Sequence, residues 1–504
     1  MDAPGPDTTL GEALLDHKRK PAVLALREAD VEIRGPGPVK RIPYSDVIWF
    51  GVTQDYATLD YVSDPGKANP KHVALRFRIT DEEKVRQVED FAVEFRARAY
   101  GRSKQMKRAY VLVNPHSGPG GATKKWEKEV RPMFDAAKMT VQSVVLTRGG
   151  EAIDLVEQLD IDSYDIVIAC SGDGTVHEVF NGLARRPDAR TALSRIAVGH
   201  IPCGSGNAMA LNLYGTNKAI PAALGIIKGV VMPLDLVSIT QGTKRFLSFL
   251  SQSLGIIAES DLATEHLRWM GAKRFEVGLI MRVYQKKVYP CDLAVKIEMS
   301  NKADIKAHYH RWVTGQTGND GELPPVGEGL PELKYGTVQD DLSGQEGWQS
   351  LNSDKLGNFY CGNIPSFGSA FIATDMVAQM AYMSPDANFF PAALPTDGYM
   401  DLVTIDGDLP TKAAVSTLLA VESGKFFDKP QVSYRKISAY RITPRSQGDG
   451  YISIDGEKVP FEPFQAEIHH RLGRVISKNG RFEAKGPMGW EEADPNKPTE
   501  NGLD

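Results

Sequence analysis

The sequence predicts an α/β protein in three parts: a small β-rich domain, an open α/β lobe, and an antiparallel β-rich second lobe. Three observations lead there. From Val23 to Ile79 apolar residues recur at period two, as in "HVALRFRI", where Val73, Leu75, Phe77 and Ile79 share one face. After residue 108 strand-like apolar runs (Ala109–Val113, Ile166–Cys170, Ile196–Ile201) alternate with helical stretches, the pattern of a mostly parallel sheet. From about Val231 onward strand follows strand, as in "MPLDLVSIT", "CDLAVKIEMS", "YMDLVTID" and "FQAEIHHR".

Taken in order, residues 1–20 read as a tail and 21–100 as the β-rich domain, its hairpins punctuated by "RGPGPVKR" and "SDPGKANP". A capping box, Thr80 with Glu83, opens a helix carrying Val85, Val88, Ala92 and Phe95 at helical spacing. Strands closed by one C-terminal helix resemble a pleckstrin-homology-like domain, and any small β-rich module fits as well. "GRSKQMKR", 101–108, reads as a basic linker. The α/β lobe spans 109–230 and the second lobe 231–480, followed by a tail at 481–504. Within the second lobe, 314–347 carries Asp320, Glu322, Glu328, Glu332, Asp340, Asp341 and Glu346 against Lys334, and reads as a flexible acidic insertion.

Composition excludes several classes. A formal net charge of −5 gives no global basicity for nucleic acid, and no nucleic-acid motif is present. Cys170, Cys203, Cys291 and Cys361 form no CxxC pair or metal spacing, which suits a reducing compartment. No stretch reaches the roughly 18 apolar residues of a membrane span, and the first residues lack a signal peptide's apolar region. A cytoplasmic protein, meeting membranes only peripherally, is expected.

Three glycine-rich turns each follow a strand. They are "VLVNPHSGPGGATKKW" (111–126), "IACSGDGTVHEVF" (168–180) and "IPCGSGNAMAL" (201–211). Glycine lets backbone N–H groups face a phosphate, and the next helix's N-terminus adds a positive dipole. None is a Walker A or GxGxxG motif, but all three sit at the C-terminal ends of strands, where open α/β sheets bind ligands. A carboxylate inside such a loop repels phosphate. Asp173 is therefore read as a base for an attacking hydroxyl, with turn-forming or helix-capping as the alternative.

"SGDGTVHEVFNGLARRPD" and "PCGSGNAMA" resemble the nucleotide loops of the diacylglycerol kinase-like catalytic family, and within it the sphingosine (long-chain base) kinases. The resemblance runs from Lys107 to about Ser477. A GGDG-type loop is shared with NAD kinases and phosphofructokinases. The sharper signal is "GIIAESDLATEHLRWMGAKRFEVG" (255–278), which looks like the sphingosine kinases' lipid-recognition segment, together with a late "SIDGEKV" (453–459). The resemblance implies an open Rossmann-like nucleotide-binding lobe, a lipid-binding second lobe, and ATP with Mg²⁺ as cofactors.

Carried over by position, the resemblance makes Asp173 the catalytic base. Asn114, Pro115, His116, Thr147, Ser171, Gly172, Gly174, Gly204, Ser205 and Gly206 line the nucleotide, and Glu178 lies near it. Arg268 and Arg274 hold phosphate oxygens, while Asp455, Gly456 and Glu457 close the site. The first loop departs from the family in having His116-Ser117 and Pro119 where Arg, Gly or Lys are common. Asp261 would bind the lipid head group. Chemistry agrees, since a sphingoid base carries an ammonium beside its reacting hydroxyl and a carboxylate is its natural partner. Glu259 is the neighbouring candidate, and a capped helix start is the alternative reading of the segment. The expected partners are a sphingoid-base lipid and a membrane surface, without nucleic acid; a homodimer stays open, and no metal ligands are assigned. Ceramide or diacylglycerol kinase activity is the nearest alternative, and a non-catalytic lipid-binding adaptor the one from another class.

Overall fold

The computed structural model describes residues 9–18, 20–35, 37–79, 82–262, 286–315, 325–365, 388–422, 425–445, 450–484 and 490. The N-terminal domain holds β1 (Gly11–His17), β2 (Lys20–Leu26), β3 (Asp30–Arg34), β4 (Lys40–Pro43), β5 (Val47–Val52), β6 (Tyr56–Ser63) and β7 (Lys71–Arg78). They pair antiparallel in the order β4-β3-β2-β1-β7-β6-β5. The period-two face is as expected: Phe77 and Ile79 are buried while Arg76 and Arg78 are exposed. One correction falls at the start. Gly11–His17 of the expected tail is β1, which turns at Lys18 (φ +51°) and pairs residue for residue with β2, burying Ala13 and Leu15. His17 and Lys20, inside the charged "HKRK" stretch, are the last and first paired residues of the two strands.

The helix α1 (Glu82–Tyr100) closes this sheet through Val88, Phe91, Ala92 and Phe95, the last with its ring 5.1 Å from that of Phe50. The capping box at Thr80 and Glu83 lies outside the described residues and side chains.

The basic stretch after α1 is no free linker. Lys107 is buried, donating to the Ser103 hydroxyl at 2.9 Å and to the carbonyls of Lys104 (2.9 Å) and Ile227 (2.7 Å). Lys104 and Arg108 both bind Asp165, at 2.8 and 2.9 Å. Lys228 reaches back to the carbonyls of Tyr44 and Ala99. One continuous apolar core runs from Leu24 and Phe50 through Tyr100 into Val111 and Ile168. The first domain and the α/β lobe are therefore packed as one body.

The α/β lobe is built from β8 (Arg108–Val113), β9 (Thr140–Val145), α4 (Glu151–Glu157), β10 (Ile166–Ser171), α5 (Asp173–Arg185), α6 (Ala189–Arg195), β11 (Ala197–Pro202), α7 (Ala208–Tyr214) and α8 (Ala219–Lys228). Short helices α2 (Ala122–Lys125) and α3 (Arg131–Ala136) join β8 to β9. Every residue of β10 and β11 is buried, as strands covered on both faces must be. The parallel order is β9-β8-β10-β11. Connections leave β8 and β10 in opposite directions, so the sheet's topological switch point, and hence its crevice, lies between their C-terminal ends.

The second lobe is antiparallel as expected. It contains β12 (Val230–Gln241), β13 (Lys244–Ser248), β14 (Ser251–Gly255), β15 (Cys291–Met299), β16 (Trp348–Leu351), β17 (Leu356–Gly362), β18 (Met400–Asp406), β19 (Ser433–Pro444), β20 (Ile452–Ile454), β21 (Glu457–Val459) and β22 (Phe464–Ser477). The helix α9 (Ile256–Leu262) leaves β14 directly. The long β22 pairs with β12 and β19 and touches β11 at Val198–Val475, so one late strand joins the two lobes.

Two further expectations are corrected. Residues 325–347 of the acidic insertion are docked, not loose. The Glu467 carboxylate accepts the N–H groups of Lys334 (2.9 Å) and Tyr335 (3.0 Å), and Arg441 donates to the carbonyls of Asp340 (2.7 Å) and Thr337 (2.9 Å). Backbone groups do this work, which composition cannot reveal. In the expected C-terminal tail, the N–H of Glu483 donates to the carbonyl of Asn212 at 2.6 Å, and the buried Trp490 packs on Phe427 with ring centres 4.7 Å apart.

Candidate active site

The three glycine loops meet at the switch point. Asn114, at the end of β8, donates its backbone N–H to the Cys170 carbonyl (3.1 Å) and its amide to the Thr175 hydroxyl (3.3 Å). Its side-chain oxygen accepts the N–H of His116 at 3.0 Å, which sets the turn and leaves His116 exposed. Ser117 accepts the N–H of Gly172 (3.3 Å), and the Ser171 carbonyl accepts the N–H of Cys203 (2.7 Å). Gly172 and Gly204 press backbone on backbone: a Cβ on Gly204 would lie 2.4 Å from the Cα of Gly172. Both glycines are needed for the approach. Ser205 and Gly206 remain exposed at the crest.

Asp173 is the first residue of α5. Its two carboxylate oxygens accept the N–H groups of Ala208 (2.8 Å) and Met209 (3.1 Å), the opening amides of α7. The capping alternative is thus realised, but for α7 and not for the helix Asp173 itself begins. A carboxylate held this way stays fixed in the crevice with the partial charge of a helix terminus behind it. Gly174 follows because Glu457 arrives from β21: a Cβ on Gly174 would meet Glu457 Oε1 at 2.7 Å. The late "SIDGEKV" segment therefore does reach the second glycine loop.

Glu178 and Thr147 serve the neighbouring helix. Glu178 accepts the N–H groups of Gly150 (3.0 Å) and Ala152 (3.2 Å), so it caps α4. Glu151 in turn accepts the Thr147 hydroxyl at 2.9 Å. These two candidates shape the rim through α4.

Asp455 departs from its expected role. It is buried, with φ +53°, and its carboxylate accepts from the Ser248 hydroxyl (2.6 Å), the N–H groups of Phe249 (3.1 Å), Leu250 (2.9 Å) and Ser251 (3.0 Å), and His177 Nδ1 (2.8 Å). So many donors leave it tying α5 to the crossing between β13 and β14, while Gly456 and Glu457 stay exposed beyond it. Burial opposes protonation of His177, but Asp455 outweighs it and raises the imidazole above its usual range. Asn181, one turn on, exchanges hydrogen bonds with the Leu247 backbone in both directions at 2.9 Å. His177 and Asn181 were missed from the sequence, although their i, i+4 spacing after the glycine loop marks one helix face.

Glu259 is also already engaged. It is buried, bound by Lys287 at 2.9 Å and by the Tyr289 hydroxyl. Its carboxylate thus already has partners within the chain. Asp261 lies on the same short helix α9, with its side chain outside the described set; Arg268 and Arg274 lie outside the described residues altogether. Where α9 leaves the sheet, Ile256 and Ile257 line a partly open apolar pocket with Phe389, Ile405, Leu418 and Phe426.

No group of three or more His, Cys, Asp or Glu among the described residues is arranged to hold a metal. Mg²⁺ usually keeps its waters and binds through substrate phosphates with one or two carboxylates. Bare glycine backbone with the Asp173 and Glu457 carboxylates beside it is compatible with that mode.

Residues 108–239 match the family model described as "Diacylglycerol kinase catalytic domain". Sheet, loops and family model together define the class as a lipid kinase. The chain is 32% identical over 467 residues to "Sphingoid long chain base kinase 5" of Saccharomyces cerevisiae, spanning 82% of this chain and 66% of that protein. It is 31% identical over 444 residues to "Sphingoid long chain base kinase 4" of Schizosaccharomyces pombe, spanning 88% of this chain and 89% of that one. A further relative is "Sphingosine kinase 1" of Mus musculus, 28% identical over 397 residues, 75% of this chain and 95% of the relative. The chain belongs to the sphingoid long chain base kinase family.

Proposed function

We propose that this lipid kinase transfers the γ-phosphoryl group of ATP to the primary hydroxyl of a sphingoid base, with Asp173 as general base. The observation that carries the reading is the fixed Asp173 carboxylate at the switch point, among three glycine loops whose amides suit phosphate. The hydroxyl oxygen attacks the γ-phosphorus, the bond to the ADP oxygen breaks, and the hydroxyl proton passes to Asp173. Mg²⁺ bound with the nucleotide supplies charge neutralisation. The apolar cavity behind α9 suits an acyl or sphingoid tail. With Glu259 held by Lys287, recognition of the ammonium falls to Asp261.

The reading is tested by turnover on sphingosine, ceramide and diacylglycerol in mixed micelles. The amine-bearing lipid should be preferred, and Asp261→Asn should shrink that preference while leaving ATP affinity intact. Glu259→Gln should lower thermal stability without altering it. Equal turnover of all three lipids would favour the ceramide or diacylglycerol alternative; ATP binding without turnover would favour an adaptor. No described helix is long and apolar enough to cross a membrane. Membrane docking, as part of the proposal, falls to the N-terminal domain's surface and not to the paired lysines and arginine of 104–108.

A further inference from the structure

Behind Asp173 stands a residue that its assigned chemistry does not use. His200 lies in β11, four residues before Gly204, and its side chain is fully buried. Its Nε2 lies 2.9 Å from the Ser171 carbonyl. A carbonyl only accepts, so Nε2 carries the ring proton and a neutral ring leaves Nδ1 as a bare lone pair. Among the described residues that Nδ1 has no hydrogen-bond partner, and it lies 3.8 Å from Asp173 Oδ1.

A buried lone pair without a partner is unfavourable and calls for an explanation. Nδ1 and the resting carboxylate are both acceptors, so they stand just outside hydrogen-bond range. A proton arriving on either would draw them together. We infer that His200 is a positioning residue for phosphoryl transfer, taking onto Nδ1 the proton that Asp173 receives from the lipid hydroxyl. The inference rests on the reading of Asp173 as base.

The balance is simple. The substrate O–H bond breaks, its proton goes to Asp173, and the proton then passes to Nδ1, giving an imidazolium beside a restored carboxylate. The amides of Ala208 and Met209 hold the Asp173 carboxylate in place throughout. Among the described residues, the groups facing His200 are the Ser171 carbonyl from β10, Asp173 from α5, and Tyr214 of α7, whose hydroxyl accepts the His200 backbone N–H at 3.4 Å. Burial lowers the affinity of His200 for a proton, with Asp173 opposing, so the ring rests neutral and ready to accept. The proton leaves by way of Asp173, whose side chain is still partly accessible at the crevice.

His200→Gln tests this, since its amide can keep the bond to Ser171 while offering nothing at Nδ1. Using ATP–Mg²⁺ and micellar sphingosine, kcat should fall about tenfold with KM for ATP within about twofold. The acid limb of kcat/KM should change in His200→Gln, because one of the two groups that share the proton is gone. His200→Asn, whose amide oxygen can accept a hydrogen bond but cannot take a proton, should not recover the loss. Unchanged turnover and pH profile in His200→Gln would overturn the inference while Asp173→Asn stays inactive. Substantial activity in Asp173→Asn would instead remove the base reading, and this inference with it. Should the variants not fold, ¹⁵N spectra of the wild-type histidines decide: a protonated Nε2 with a bare Nδ1 supports it, and a protonated Nδ1 in the resting protein overturns it.

Discussion

Asp173 is a residue with two duties, and its substitution separates them. Asparagine offers one oxygen to the two amides that now each meet a carboxylate oxygen. Asp173→Asn should therefore lose about 10²–10⁴-fold in turnover and also about 1–3 kcal/mol of stability, for the amide left facing an N–H₂ group. Kinetics and thermal melting measured on the same preparation check both. Retention of more than about a third of the activity would remove Asp173 as base. The glycines differ in kind. A Cβ on Gly204 meets backbone at 2.4 Å, so Gly204→Ala should cost about 1–3 kcal/mol by overpacking. A Cβ on Gly174 meets only the end of the Glu457 side chain, so Gly174→Ala should melt close to wild type yet turn over poorly, as Glu457 is displaced. Similar melting losses in both variants would contradict this contrast.

Among the elements, α5 is the one on which both lobes depend. Its first residue faces the crevice, and His177 and Asn181 on its next turns grip the crossing from β13 to β14. The His177–Asp455 contact carries a pH signature. Its folded-state pKa is raised, so its contribution is fully present below about pH 6.5, the unfolded value, and is lost as pH rises through the raised one. Amide exchange at Phe249 and Leu250 should accelerate over that window in the wild type. In His177→Gln it should be faster throughout and lack the step. An identical pH dependence in both proteins would mean that the imidazole is not the titrating group.

At the scale of the whole molecule, the first domain and the α/β lobe share one core, and Lys228 crosses between them. Removing residues 1–100 should therefore strip cover from α8 and lower solubility and turnover together. Calorimetry of the full chain should show the two parts unfolding in one transition; a separate low-temperature transition for the N-terminal sheet would contradict the shared core.

Sequence by itself determined the alternation of strands and helices after residue 108, the antiparallel character of the second lobe, and the three glycine loops. All three rest on local periodicity and on backbone conformations that only certain residues permit. Sequence also singled out Asp173, because a carboxylate in a phosphate loop is locally incongruous. Only the tertiary structure decided the partners. It assigned Asp455 to the crossing between β13 and β14, Glu178 to the cap of α4 and Glu259 to Lys287, and it placed His200 behind Asp173. It also ordered residues 325–347 through backbone hydrogen bonds to a distant strand. Such roles depend on which donors other segments bring to a carboxylate or an imidazole, and a chain carries no local mark of neighbours that lie from about thirty to over two hundred residues away.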